Sequence, residues 1–224
     1  MATASAQPQP EKAVVRSVIV NGQGTINVPP DQVRLSVQVN TRGESASAAM
    51  TEASKRTNAI LASLKEYGID AKDIQTSRVT VTAILDYEKR VQPPPIVGYA
   101  GTNEFTILFK GKNMEKVGGF LDHAVVAGAS SFSGLTYESS KQRELERDAL
   151  KRAAADAKSR AEVLAKELGA TLGTVTTISE SVSGGGPAPM LRGGLMMESA
   201  STAAPVMTGE LSINAQVNVT FELK

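Results

Sequence analysis

Four methionines, Met190, Met196, Met197 and Met207, fall in or at the edge of one stretch, SGGGPAPMLRGGLMMESASTAAPVMT, residues 183–208. Thioethers are soft, polarisable and flexible, so this clustering suits an adaptable contact surface, Cu(I) coordination or sacrificial oxidation to the sulfoxide. Soft-metal sites usually add His or Cys, and none is near, so an interface or a flexible loop is the leading reading. The single histidine, His123, has no second His and no Cys to join it in a zinc site. Its spacing sets it off the apolar stripe of Val117, Leu121 and Ala124, which makes it a solvent-flanking residue, and Asp122 points elsewhere on the same helix. No nucleophile elbow, P-loop or dinucleotide fingerprint occurs: Gly184-Gly185-Gly186 runs into Pro187, not into Lys-Ser or a helix. No carboxylate sits in an apolar sequence setting that marks a general acid. These residues offer no catalytic group, no His- or Cys-based metal-ligand set and no cofactor site, and the chain reads as non-enzymatic.

The other stretch with a role to explain is Pro93-Pro94-Pro95. It lies between a strand in which Val79, Val81 and Ala83 alternate with Thr80 and Thr82, and a second strand from Ile96 to Phe109. Two long strands joined this way form an antiparallel ribbon whose tip, residues 88–95, protrudes as a contact point or a rigid solvent loop.

The elements that position these segments follow from periodicity. Residues 14–20 read as a strand, Asn21-Gly22-Gln23-Gly24 as a turn and residues 25–28 as a second short extended piece. Residues 31–40 alternate Val33, Leu35, Val37 and Val39 with polar partners, the mark of a half-buried strand whose other face is wet or covered only in an assembly. A helix spans 44–67 with Met50, Ala53, Ile60, Leu61 and Leu64 inward and Gly68 at its end. Asn113 is placed to cap a helix that runs to Ala127 and stops at Gly128, and a short strand follows over 131–138. Residues 140–168 form a long helix, with Leu145, Ala149, Ala153, Ala157, Ala161, Leu164 and Leu168 on one face. On its outer face Asp148 with Arg152, Asp156 with Arg160 and Glu162 with Lys166 form opposite-charge pairs four apart, a solvated surface. A strand over 172–182 and a last one, in which Leu211, Ile213, Ala215, Val217, Val219 and Phe221 point inward, complete the chain.

Strands and helices are interspersed without a βα rhythm, which gives an α+β class: mixed or antiparallel sheets covered by helices, in two small two-layer units with one long Ala-rich helix. The expected divisions are a disordered tail over 1–13, an N-terminal unit over 14–103 and a C-terminal unit over 104–224. Residues 183–208 are a flexible loop within the second unit, and the last strand, 209–224, is free to return to the N-terminal sheet.

Composition narrows the function classes. The chain has 224 residues, 41% hydrophobic and 21% charged, enough to bury a core. A net charge of +1, with acids interleaved among the bases of the long helix, argues against nucleic acid as a partner. The absence of Cys removes disulfides and thiolate chemistry. No stretch approaches the roughly 20 apolar residues of a membrane span, so envelope association would be peripheral. The start, MATASAQ, resembles the small-residue end of a signal peptide whose charged and apolar regions are missing, as if removed.

Taken in order, Gly68-Ile69, Asp73 to Ser77, Val97-Gly98-Tyr99 with Asn103, Gly128-Ala129, Gly134-Leu135, the Ala-rich helix, Leu172-Gly173, and a terminal strand from Gly209-Glu210 to Val217–Phe221 resemble the SIMPL-domain family of bacterial exported proteins. The similarity covers residues 18–224. It implies a periplasmic or outer-membrane-associated protein of two small α+β units, in a family of which some members form ring-like or channel-like homo-oligomers. It also implies a link to oxidative stress and to a periplasmic immunogen of a pathogen, with no established activity and hence no catalytic residues to transfer. The leading expectation is a self-assembling structural or stress-protective envelope protein, with Pro93, Pro94, Pro95 and the four methionines as candidate interaction residues. The alternative is a periplasmic binding module for a soft metal or an apolar small molecule, using the Met-containing loop.

Overall fold

The computed structural model describes residues 16–89, 91–187 and 209–224. Among these, seven strands and three α-helices follow one another as β1 (Ser17–Val28), β2 (Gln32–Gly43), α1 (Ala46–Glu66), β3 (Ile74–Leu85), β4 (Ile96–Lys110), α2 (Val117–Val126), β5 (Ser131–Glu138), α3 (Gln142–Glu167), β6 (Leu172–Pro187) and β7 (Leu211–Leu223). The class is α+β with two antiparallel sheets, one in the order β1-β7-β6 and the other β3-β4-β2-β5.

The chain groups into two compact units that are not contiguous in sequence. Among the described residues, one combines 16–26, 143–184 and 213–224; the other combines 27–89, 91–142, 185–187 and 209–212. This grouping differs from a division at 103/104, because Asn103 lies in mid-strand in β4, opposite Val39 of β2 and Val79 of β3. In the first unit the last strand, β7, lies between β1 and β6.

The four-stranded unit is built around the alternation of β2 and β4. Val33, Leu35, Val37 and Val39 meet Phe105, Ile107 and Phe109 in one buried cluster, closed by Ile60 and Leu64 of α1 and by Val117, Phe120 and Ala124 of α2. Phe120 packs against Phe109 at 5.5 Å between ring centroids and edge-on to Tyr67 at 5.9 Å. Each of these large side chains contributes about 1.5–3 kcal/mol by leaving water. Ser45 caps α1 by accepting from the Ala48 N–H at 3.1 Å, and Gly68, at φ +74°, ends the turn. Asn113 does not cap α2. A 3-10 turn over Gly111–Lys116 precedes that helix, and the Asn113 side chain instead donates to the Gly68 carbonyl at 3.1 Å. The opposite face of the sheet is polar, with Arg34 held by both oxygens of Glu138 at 2.7 and 2.9 Å.

The three-stranded unit solves its packing differently. Residues 17–28 form one uninterrupted strand, so Asn21-Gly22-Gln23-Gly24 is not a turn. The two glycines are there because α3 lies against them: a Cβ on Gly22 would fall 2.1 Å from the Ala153 oxygen, and one on Gly24 would fall 2.2 Å from the Ala149 oxygen. Alanines fill the helix side of this contact, with Ala149, Ala153, Ala157, Ala161 and Ala165 all buried. Bulk comes from the sheet, through Leu211, Ile213, Val217, Val219 and Phe221 of β7. The buried row steps strictly by four residues, and this carries it to Ala165, leaving Leu164 and Leu168 exposed although their spacing placed them inward.

Candidate functional site

Among the described residues, the hairpin of β3 and β4 extends without another element covering its end. The β2–β4 ladder ends at Gly43 opposite Tyr99, whereas β3 and β4 stay paired out to Leu85 opposite Ile96. The ribbon therefore runs past its neighbouring strand, as the sequence pattern predicts. Its tip is tied locally: the Asp86 N–H donates to the Pro95 carbonyl at 2.9 Å, and Asp86 Oδ1 accepts from the amides of Glu88 at 3.0 Å and Lys89 at 3.4 Å. The Gln92–Pro93 peptide bond is cis. Pro93 is exposed, and Pro94 and Pro95 are half-buried. Around the three prolines stand apolar side chains that the sequence did not single out, Tyr87 at 75% exposure together with Val91, Ile96 and Val97.

A second exposed apolar strip runs along β3, the edge of its sheet. Val79 pairs with Asn103 and Val81 with Gly101, so both point to the helix-covered face, yet Val79 is 56% exposed. The cause is the seat of α1. A Cβ on Gly101 would come within 2.9 Å of the Ala49 oxygen, so α1 sits tight on β4, and Thr41 donates its hydroxyl to the same Ala49 carbonyl at 2.7 Å. Held there, α1 leaves the β3 side open among the described residues. Its flank and the start of β3 bound two adjoining depressions of about 590 and 460 Å³, which share Asn58 and include Met50, Leu61 and Ile74. Asn103, beneath α1, donates to Thr57 at 3.2 Å, while its own carbonyl oxygen is buried without a partner among the described residues.

The groups with conventional chemistry are engaged locally. His123 is exposed, as its spacing suggests, and its Nδ1 lies 2.8 Å from the Tyr67 hydroxyl and 3.3 Å from the Gly119 carbonyl. Among the described residues no group of three or more His, Cys, Asp or Glu is arranged to hold a metal ion. Glu52, Asp70 and Asp148 are drawn below the ordinary carboxylate range chiefly by hydrogen bonds from Arg56, Lys72 and Lys151, the direction opposite to that of a general acid. Met190, Met196, Met197 and Met207 lie outside the described residues. The candidates brought together are therefore Pro93, Pro94 and Pro95, joined by the apolar residues of the tip and by Val79 and Val81. Alternation showed that β3 is a strand, but nothing local in the sequence showed that a helix would stop short of it.

The family described as SIMPL, protein of unknown function (DUF541), matches residues 18–221. The chain is 30% identical over 213 residues to the 26 kDa periplasmic immunogenic protein of Brucella melitensis, covering 92% of this chain and 84% of that protein. It is 26% identical over 209 residues to the uncharacterized protein YggE of Edwardsiella ictaluri, covering 92% and 86%, and 25% identical over 213 residues to YggE of Escherichia coli, covering 92% and 83%.

Proposed function

The chain belongs to the SIMPL family, and from that premise we propose that it is an exported, non-enzymatic protein of the bacterial periplasm that assembles with copies of itself. Its role in this reading is structural and stress-protective, and it works through the assembled surface, not through turnover. The Brucella relative, named as periplasmic, supports the location. Among the described residues no helix is long and apolar enough to cross a membrane.

One observation carries the assembly reading: from residue 79 to residue 85, β3 is a sheet edge without charge, glycine or proline. Such a strand offers unpaired N–H and C=O groups to any extended partner, and sheets normally blunt it. Two of the other outer strands are less open to addition: β5 has only eight residues, and β6 carries Glu180 and ends in Gly-Gly-Gly-Pro. The β3 edge is also continuous with the apolar tip at Tyr87, Val91, Ile96 and Val97. Size exclusion with light scattering should return a mass of two or more times 23.5 kDa. A monomer at every working concentration would end this reading.

A further inference from the structure

The edge of the three-stranded sheet at β1 is treated very differently from that at β3. Two side chains of α3 reach its main chain: Asp156 Oδ2 accepts from the Gln23 N–H at 2.9 Å, and Arg152 Nη1 donates to the Thr25 carbonyl at 2.9 Å. In an extended strand alternate residues present their N–H and C=O to opposite sides, so Gln23 and Thr25, two apart, present theirs to the same side. With β7 on the inner side of β1, that is the outer edge. We propose that α3 is a guard for this edge, its carboxylate and guanidinium standing in for the acceptor and donor of an absent neighbouring strand and closing β1 to strand addition.

The spacing makes the substitution possible. Asp156 and Arg152 are four residues apart on a helix, about 6 Å along its axis, and Gln23 and Thr25 are two apart on a strand, about 6.8 Å. The helix and the strand run in opposite directions, so one pair of side chains meets one pair of main-chain groups in step. Polarity matches at each contact, acid to N–H and base to C=O. Gly22 and Gly24 supply the closeness, since any Cβ there would push the helix away. Arg160, one step further along, bonds to Asp156 at 3.1 Å and so holds that carboxylate in place. Beyond it the register ends. Ile19, Asn21, Val163 and Leu164 line an open groove of about 460 Å³, to which α3 also brings Ser159 and the Arg160 that holds Asp156. The Asp156 carboxyl is also held below the ordinary range, first by the Gln23 amide and then by Arg160, so it stays ionised further into acid than an ordinary carboxylate.

This inference does not depend on self-assembly, and amide hydrogen exchange resolved by NMR tests it in the full chain, whatever its oligomeric state. Asp156→Ala should speed exchange at the Gln23 amide by about tenfold or more, while the Gly24 amide, on the β7 side, stays unchanged. Asp156→Asn, which keeps an acceptor oxygen, should restore most of the protection. Removing both guards, with Arg152→Ala and Asp156→Ala, should add a strand-mediated association that Val79 and Val81 substitutions do not suppress. Unchanged exchange at Gln23 in a folded Asp156→Ala protein would overturn the proposal. So would equal acceleration at Gly24, which would mean that the helix had simply lifted.

Discussion

A methyl group added at Gly22 would lie 2.1 Å from one carbonyl oxygen of α3 and 2.5 Å from the Ala157 amide nitrogen. Both neighbours are main chain in the middle of a helix and cannot swing aside, so helix and sheet must separate. Gly22→Ala should destabilise the protein by about 3 kcal/mol, read as a lower urea midpoint. Asp156 gives a pH dependence at the same contact. Its folded carboxyl is shifted downward, so its contribution is complete above the ordinary carboxylate range of about 3.9 and is lost as pH falls through the lowered folded value. The Gln23 amide resonance should therefore be constant from neutral pH to about 5 and move only in stronger acid. Neither contact was legible in the sequence. Asn-Gly reads as a turn because its commonest use is a turn, and only a helix more than a hundred residues away explains why these glycines lie in a strand. One of the three charge pairs on α3 was legible. Asp156 and Arg160 do pair, but Arg152 turns to β1, Asp148 takes Lys151, and Glu162 takes Lys158.

Elements were far easier to read than contacts. The terminal strand buries every residue its alternation placed inward, from Leu211 to Phe221, because a strand with one wet face imposes a period that no other structure shares. The helix over 142–167 was legible for the same reason, while the end of its buried stripe was not. Whether Ala165 or Leu164 faces the sheet depends on the crossing of helix and strands, not on the helix alone. The β3–β4 ribbon was visible as two strands and a proline loop, but its exposure follows from the seat of α1, which Gly101 and Ala49 determine together. Cutting the tip by replacing residues 87–94 with a two-residue Asn-Gly turn tests this element alone. The sheet should fold as before by circular dichroism, and assembly should weaken by tenfold or more in a dilution series, since the tip adds apolar area to a contact centred on the strand.

At the scale of the whole chain, the pairing of β1 with β7 brings together segments almost two hundred residues apart; the last strand was free to return to the N-terminal sheet, but no local pattern names β1 and β6 as its neighbours. The class and the family were legible because they rest on turns, caps and periods. The grouping into two discontinuous units was not, because it rests on which strands meet. Changing Met190, Met196, Met197 and Met207 to Leu should leave the assembled mass unchanged, and copper titration should show no difference from the wild type, because contact here is assigned to β3. A loss of assembly would move the contact to the methionine segment. The central claim is that the uncharged edge of β3 joins copies of the chain, and sedimentation velocity of the Val79→Lys, Val81→Lys protein tests it most directly. Two lysines on an exposed edge should leave the fold intact and return a monomer where the wild type sediments as an oligomer. A folded variant that sediments as the same oligomer would contradict it.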